Sequence, residues 1–164
     1  MTTKTTTRIL YRRMIASDLV PVMLIEQQSF LSPWSAGEFH AARKGAWGAN
    51  VFVAVDQWQR VMGYVAWHCD DDELVIKNLA VAPHCRRRGV GRFLVDRVKS
   101  RATNGRRVRV MVWERNVDGC RFFVSWSVGF RFVDMVRDAY DENDDDGFLF
   151  EWREGTRVPK ARQR

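Results

Sequence analysis

The chain has 164 residues, 46% hydrophobic and 29% charged, with 27 Lys and Arg against 20 Asp and Glu for a formal charge of +7. This is the balance of one soluble domain with a core of its own, and it excludes a disordered, collagen-like or multidomain chain. No apolar run approaches the roughly 20 residues of a membrane-spanning helix. Residues 1–7 are polar with no apolar signal core behind them, and Cys69, Cys85 and Cys120 lack the pairing of a disulfide framework or zinc site, so a cytoplasmic, metal-free protein with reduced thiols is expected.

Residues 10–15 read as a first strand. Ser17 or Asp18 is placed to cap a helix carrying Leu19, Val22, Met23, Ile25 and Glu26, with Pro21 early enough to cost little. The loop Leu31-Ser32-Pro33-Trp34 leads to a second cap at Ser35, where Glu38 completes a capping box for a helix to about Arg43. Residues 50–56, 61–69 and 73–81 read as a meander of three strands. Val90, Phe93, Leu94, Val95 and Val98 then recur at helical spacing, from Gly89 to a stop before Asn104-Gly105. A strand at 108–113, a helix at 118–127 and strands at 130–136 and 148–152 complete the order. Strand, helix and strand joined by short loops imply one parallel crossover in an otherwise antiparallel sheet. The expected fold class is α/β (α+β), with a mixed central sheet of about seven strands and about four helices. Residues 1–164 form a single domain with its core at about 8–153.

Charge is segregated along the chain. Residues 86–107 hold nine basic side chains against one acid, Asp96, whereas residues 134–146 hold seven acids against Arg137. The run Asp144-Asp145-Asp146 reads as a solvated turn able to attract a cation through its field. The basic block coincides with the strongest chemical signal, the junction Leu79-Ala80-Val81-Ala82-Pro83-His84-Cys85-Arg86-Arg87-Arg88-Gly89-Val90-Gly91-Arg92. A strand ends, a basic loop follows, and two glycines open a helix. A helix N-terminus offers unpaired amide protons and a positive dipole end, and glycine lets a phosphate reach them. The spacing is neither that of a dinucleotide fingerprint nor that of a nucleotide-triphosphate loop.

Arg86-Arg87-Arg88-Gly89-Val90-Gly91, with Leu79-Ala80-Val81 before it, resembles the Arg/Gln-x-x-Gly-x-Gly/Ala signature of the GNAT superfamily of N-acetyltransferases, and the likeness runs over about residues 10–153. Ile25-Glu26-Gln27-Gln28-Ser29-Phe30, then Pro33-Trp34-Ser35, Phe39 and Gly129-Phe130, resemble the ribosomal-protein-alanine N-acetyltransferase subfamily. The resemblance implies transfer of an acetyl group from acetyl-coenzyme A to an amine, with a protein N-terminus as acceptor. It implies a pyrophosphate on the amides of Arg87 to Arg92, with Arg86, Arg87, Arg88, Gly89, Val90, Gly91 and Arg92 at the cofactor. It also implies a pantetheine arm along Leu79, Ala80 and Val81, and a cofactor contact from Asn116.

One departure concerns proton transfer. The positions that the subfamily gives to a basic glutamate and an acidic tyrosine hold Met111 and Phe123 here, and counting back from Gly129-Phe130 puts Ser125 in the tyrosine position instead. None of the three does the work of the residue it replaces. Substitute bases are Glu73, which shares a strand face with Val75, Lys77 and Leu79, Glu114, His68, or a relay of water. Tyr140 lies where the family has a tyrosine in the loop between its last two strands and is the candidate acid or substrate contact. Trp34 lies in the loop on the acceptor side. Other readings of the chain are a small-amine acetyltransferase on the same fold, a sensor that binds acetyl-coenzyme A without catalysis, and a nucleic-acid-binding protein. The last has no aromatics interleaved with the basic run to stack bases. Monomer and homodimer are both compatible with the sequence.

Overall fold

The computed structural model describes residues 8–70, 72–140 and 145–155. In chain order these form β1 (Leu10–Arg13), α1 (Leu19–Gln27), α2 (Ala36–Arg43), β2 (Ala49–Val55), β3 (Val61–Cys69), β4 (Glu73–Val81), α3 (Val90–Lys99), β5 (Arg107–Trp113), α4 (Val117–Val124), β6 (Arg131–Tyr140) and β7 (Asp145–Trp152). Short 3-10 turns precede α1, β2 and α3. The strands make one mixed sheet in the order β1-β2-β3-β4-β5-β7-β6. This is the expected α/β class, with seven strands and four α-helices among the described residues.

Local chemistry explains most boundaries. Ser35 caps α2 as a capping box: its hydroxyl accepts from the Glu38 amide at 3.2 Å, and the Glu38 carboxylate accepts from the Ser35 amide at 2.7 Å. Asp18 does not cap α1 through its side chain. Its carboxylate instead takes the Ile15 amide at 2.8 Å and both guanidinium nitrogens of Arg12 at 2.6 and 3.0 Å, tying β1 to the start of the helix. Pro21 is the third residue of α1, inside the first turn, where an amide proton has no intrahelical acceptor.

The chain divides into two compact units, one reaching His68 and including Asn78–Leu94, the other made of Cys69–Lys77 with the residues from Val95 on. In the first unit β1, β2 and β3 pair antiparallel. β2 is buried from Val51 to Val55, which is why it reads as an unbroken apolar run. Val22, Ile25, Phe39 and Tyr64 fill the core beside it. In the second unit β4 and β5 pair in parallel from Glu73↔Arg107 to Ile76↔Val110, β7 pairs antiparallel with β5, and β6 follows as the outer strand. Leu74, Val108, Phe123, Phe130 and Phe150 form its core.

Two expectations need correction. β6 runs to Tyr140 and β7 starts at Asp145, so the final hairpin is longer than the sequence suggests. β6 is an outer strand with mostly exposed side chains and therefore carries no apolar alternation to reveal it. Helix α4 stops at Val124, where the hydroxyl of Ser125 donates to the Phe122 carbonyl at 2.7 Å and the backbone turns extended.

Candidate acetyl-coenzyme A and acceptor site

The cradle is built by the turn between β4 and α3. Ala82 donates to the Met62 carbonyl at 2.9 Å, prolonging the edge of β4, and the buried Cys85 anchors the 3-10 turn that follows. Arg87 and Gly89 then adopt left-handed backbone angles, φ 59° and 83°. Such a succession swings neighbouring amides toward one side and makes a concave anion site. The Gly89 carbonyl accepts from Phe93 at 2.9 Å, which opens α3 and puts the amides of Val90 and Gly91 in its first turn, where an α-helix supplies no acceptor. A Cβ placed on Gly89 meets nothing within 4 Å, so the space over the turn is open to a ligand. Beneath it, a Cβ on Gly63 would stand 2.8 Å from the Ala80 carbonyl oxygen and 3.3 Å from Leu94. Only glycine lets β3 and α3 close on this end of β4.

Arg86 takes another role than the one its place in the signature suggests. Its Nε donates to the Val81 carbonyl at 3.0 Å and its terminal nitrogen donates to the Ser29 hydroxyl at 3.0 Å. The Ser29 hydroxyl donates in turn to the Ile25 carbonyl at 2.6 Å. The guanidinium thus braces the end of β4 against the loop after α1. Arg87, Arg88 and Arg92 are exposed around the turn, beside the amides that a pyrophosphate would use.

Sequence reasoning missed a buried polar cluster in the same unit. Glu26 is 1% exposed on the inward face of α1. Its Oε1 accepts from the Trp34 amide at 2.8 Å and from the Asn78 side chain at 2.9 Å, and its Oε2 accepts from the hydroxyl of the wholly buried Tyr64. Burial, with the adjoining carboxylate, holds the Tyr64 phenol far above the ordinary tyrosine range, so it remains a donor. The available signal was Glu26 following Val22 and Ile25 on one helical face, a carboxyl within an apolar stripe.

The remaining candidates lie in the second unit. Asn116 caps α4, its Oδ1 accepting from the Gly119 amide at 2.9 Å, which orients the side-chain amide. A Cβ on Gly119 would sit 2.7 Å from the Asn116 Nδ2, so this glycine is required for that placement. Tyr140 ends β6 opposite Asp145, and burial, reinforced by the nearby Cys120, raises its phenol, which keeps its proton at neutral pH. Met111 packs over Gly147, whose Cβ would meet its sulfur at 2.7 Å. Phe123 is 5% exposed and stands edge-on to Phe130 at 5.2 Å. It is a core ring, and Ser125 is the C-cap of α4. Glu73 opens β4, where it accepts from Arg107 at 2.8 Å and pairs with Arg109 at 3.3 Å. Glu114 follows β5 and pairs loosely with Arg115 at 4.0 Å, and His68 stands near the end of β3 opposite Ala49. Asp145 is not a solvated turn residue: it is 5% exposed and pairs with Arg115 at 3.1 Å. Asp144 lies outside the described residues.

A strand, a left-handed basic turn and a helix start follow one another here, and the protein-family description "Acetyltransferase (GNAT) domain" matches residues 47–131, just over half of the chain. The chain belongs to the GNAT acetyltransferase family. It is an acetyl-coenzyme A-dependent N-acetyltransferase. Among solved GNAT structures it is similar to the ribosomal-protein-S18-alanine N-acetyltransferase from Escherichia coli, at TM-score 0.73 and 19% identity over 96% of this chain and 99% of that one. It is also similar to Arabidopsis thaliana NAA60 in complex with acetyl-CoA, at TM-score 0.74 and 19% identity over 90% and 99%. Spermidine/spermine N-acetyltransferase SpeG from Vibrio cholerae matches at TM-score 0.67 and 16% identity over 89% and 92%. At these identities the likeness speaks for the GNAT fold. No curated protein matches the sequence. Among the described residues, no helix is long and apolar enough to cross a membrane.

Proposed function

We propose that this GNAT enzyme acetylates the N-terminal α-amine of a protein or peptide, with the whole chain working as one domain. The observation that carries the cofactor half of this reading is the turn at Arg87–Gly89, whose left-handed angles and open face stand at the start of α3. In the proposal the first amides of α3 hold the pyrophosphate, the exposed arginines meet the remaining phosphate charge, and the backbone of Leu79 and Val81 pairs with the pantetheine arm. The register of β4 with β5 ends at Ile76, so Leu79 and Val81 lie beyond it. The amide of Asn116, oriented by its cap, is the further cofactor contact.

Acetyl-coenzyme A supplies a thioester carbonyl that a neutral amine attacks, with coenzyme A leaving as the thiolate. Met111 and Phe123 contribute no proton chemistry, so water takes the amine proton in this proposal, and Tyr140, protonated at neutral pH, donates to the departing sulfur. Glu73 is assigned to structure, because two guanidinium groups occupy its carboxylate at the opposite end of β4 from the cradle. The α1–α2 loop, with Trp34 leaning on Phe39 at 5.3 Å, forms the acceptor side.

The likeness to a spermidine/spermine acetyltransferase supports small-amine transfer as a second reading. The test offers the chain acetyl-coenzyme A with either a short peptide bearing a free N-terminal alanine or spermidine, following thiol release and locating the acetyl group by mass spectrometry. Turnover of the peptide at its α-amine is expected, and turnover of spermidine alone would favour the second reading. Gly89→Trp fills the open turn and strains a left-handed position, so acetyl-coenzyme A binding should fall below detection by calorimetry. Unchanged affinity would remove the cradle from the site. Tight binding without turnover of either acceptor would overturn both acceptor readings.

A further inference from the structure

We propose that Glu26 is a positioning residue for the amine acceptor, its buried carboxyl holding the Pro33-Trp34-Ser35 turn, and with it the acceptor-side loop, in place. This rests on the function proposed above, in which the α1–α2 loop lines the acceptor.

A carboxyl buried to 1% exposure is costly, and an aliphatic side chain would fill the same space between Val22 and Ile25 at lower cost. What the carboxyl alone does is accept hydrogen bonds from three separate parts of the fold: the Trp34 amide in the loop, the Asn78 side chain in β4 and the Tyr64 hydroxyl in β3. None of these donors is a cation, so the arrangement is a hydrogen-bonded clamp and not an ion pair. The Trp34 bond matters most for the acceptor, because this stretch of loop has no regular secondary structure and Pro33 has no amide proton to offer.

Aromatic contacts close the clamp. Trp34 leans on Phe39 at 5.3 Å, Phe39 meets Tyr64 edge-on at 5.3 Å, and Tyr64 returns to Glu26. The start of the same loop is tied separately, through the Ser29 hydroxyl to the Ile25 carbonyl and to Arg86. Glu26 holds the far end, at the Trp34 amide. Removing the carboxyl releases the Trp34 end and leaves both the Ser29 end and the cradle intact.

The experiment uses the full chain, acetyl-coenzyme A and whichever probe, alanine peptide or spermidine, the wild type turns over. Glu26→Met should raise the KM for the acceptor by about tenfold or more, leave kcat within about threefold, and leave acetyl-coenzyme A affinity within about twofold by calorimetry. Glu26→Gln keeps an oxygen for the Trp34 and Asn78 donors and should restore KM to within about threefold of the wild type. Hydrogen exchange should show the Trp34 amide losing protection in Glu26→Met and keeping it in Glu26→Gln. Where Glu26→Met does not fold, Glu26→Asp makes the same test, because it withdraws the carboxyl by about 1.5 Å. An unchanged acceptor KM in an active enzyme would overturn the assignment, as would acetyl-coenzyme A affinity falling in step with it. A wild type that acetylates neither probe would instead overturn the underlying function, an outcome distinct from a failure of Glu26 alone.

Discussion

At the scale of single residues, the roles of Glu73 and Tyr140 separate by what surrounds each side chain. Glu73 is held between Arg107 and Arg109 and is half-buried, so Glu73→Gln should leave the rate and pH profile of acetylation unchanged while lowering stability by about 1–2 kcal/mol, between the values for exposed and buried pairs. Tyr140→Phe should lower kcat with acetyl-coenzyme A affinity preserved, as deleting a proton donor that acts only on the departing sulfur requires. Steady-state kinetics on the two variants distinguish the assignments, and a rate collapse in Glu73→Gln would restore it as the base. The sequence shows that Met111 stands where a base is expected but not which residue compensates. Hydrogen-bond reach is set by neighbours that are remote along the chain.

At the scale of secondary elements, caps and close approaches decide where functional groups point. The Asn116 cap and Gly119 are one unit: the Asn116 side chain closes the first turn of α4, and the absence of a Cβ at Gly119 leaves room for its amide. Gly119→Ala gains about 1 kcal/mol of helix propensity and loses about 1 kcal/mol of cap, so stability in urea should barely change. Acetyl-coenzyme A affinity should nonetheless fall, because the Asn116 amide must turn away from a contact that would be only 2.7 Å. A fall in stability with unchanged affinity would remove Asn116 from the cofactor site. The cap at Ser35 and the helix opening at Gly89 were legible because each depends on residues a few positions apart. β6 was legible only in part, since an outer strand with exposed side chains lacks the alternation that betrays a half-buried one.

At the scale of the whole molecule, charge governs the response to acid. Burial acts to raise the carboxyls of Asp18 and Glu151, but hydrogen bonds outweigh it and hold both below the ordinary range, from Arg12 and the Ile15 amide in one case and from Arg153 and Arg109 in the other. A carboxyl whose folded pKa is depressed contributes stability that is present above its unfolded pKa, near 4, and lost as the pH falls through the folded value. Acid also removes the 20 negative charges that offset 27 Lys and Arg, so self-repulsion grows over the same range. Stability should therefore be level from neutral pH to about 5 and fall below about 4. Arg12→Met should cost about 1–2 kcal/mol at pH 7 and less at pH 3, since without the guanidinium Asp18 takes up a proton more readily as the pH falls. Equal costs at the two pH values in urea titrations would show that Arg12 acts through packing alone. The sequence by itself determined the element order, the capped start of α2, the basic glycine turn after β4 and the family, because caps, periodicity and that turn are written in neighbouring residues. Only the tertiary structure decided that β7 lies between β5 and β6, that Arg86 braces the protein, that Phe123 is a core ring, and that Glu26 gathers Trp34, Tyr64 and Asn78. Each of those depends on groups far apart in the chain, which only the folded backbone brings within reach of one another.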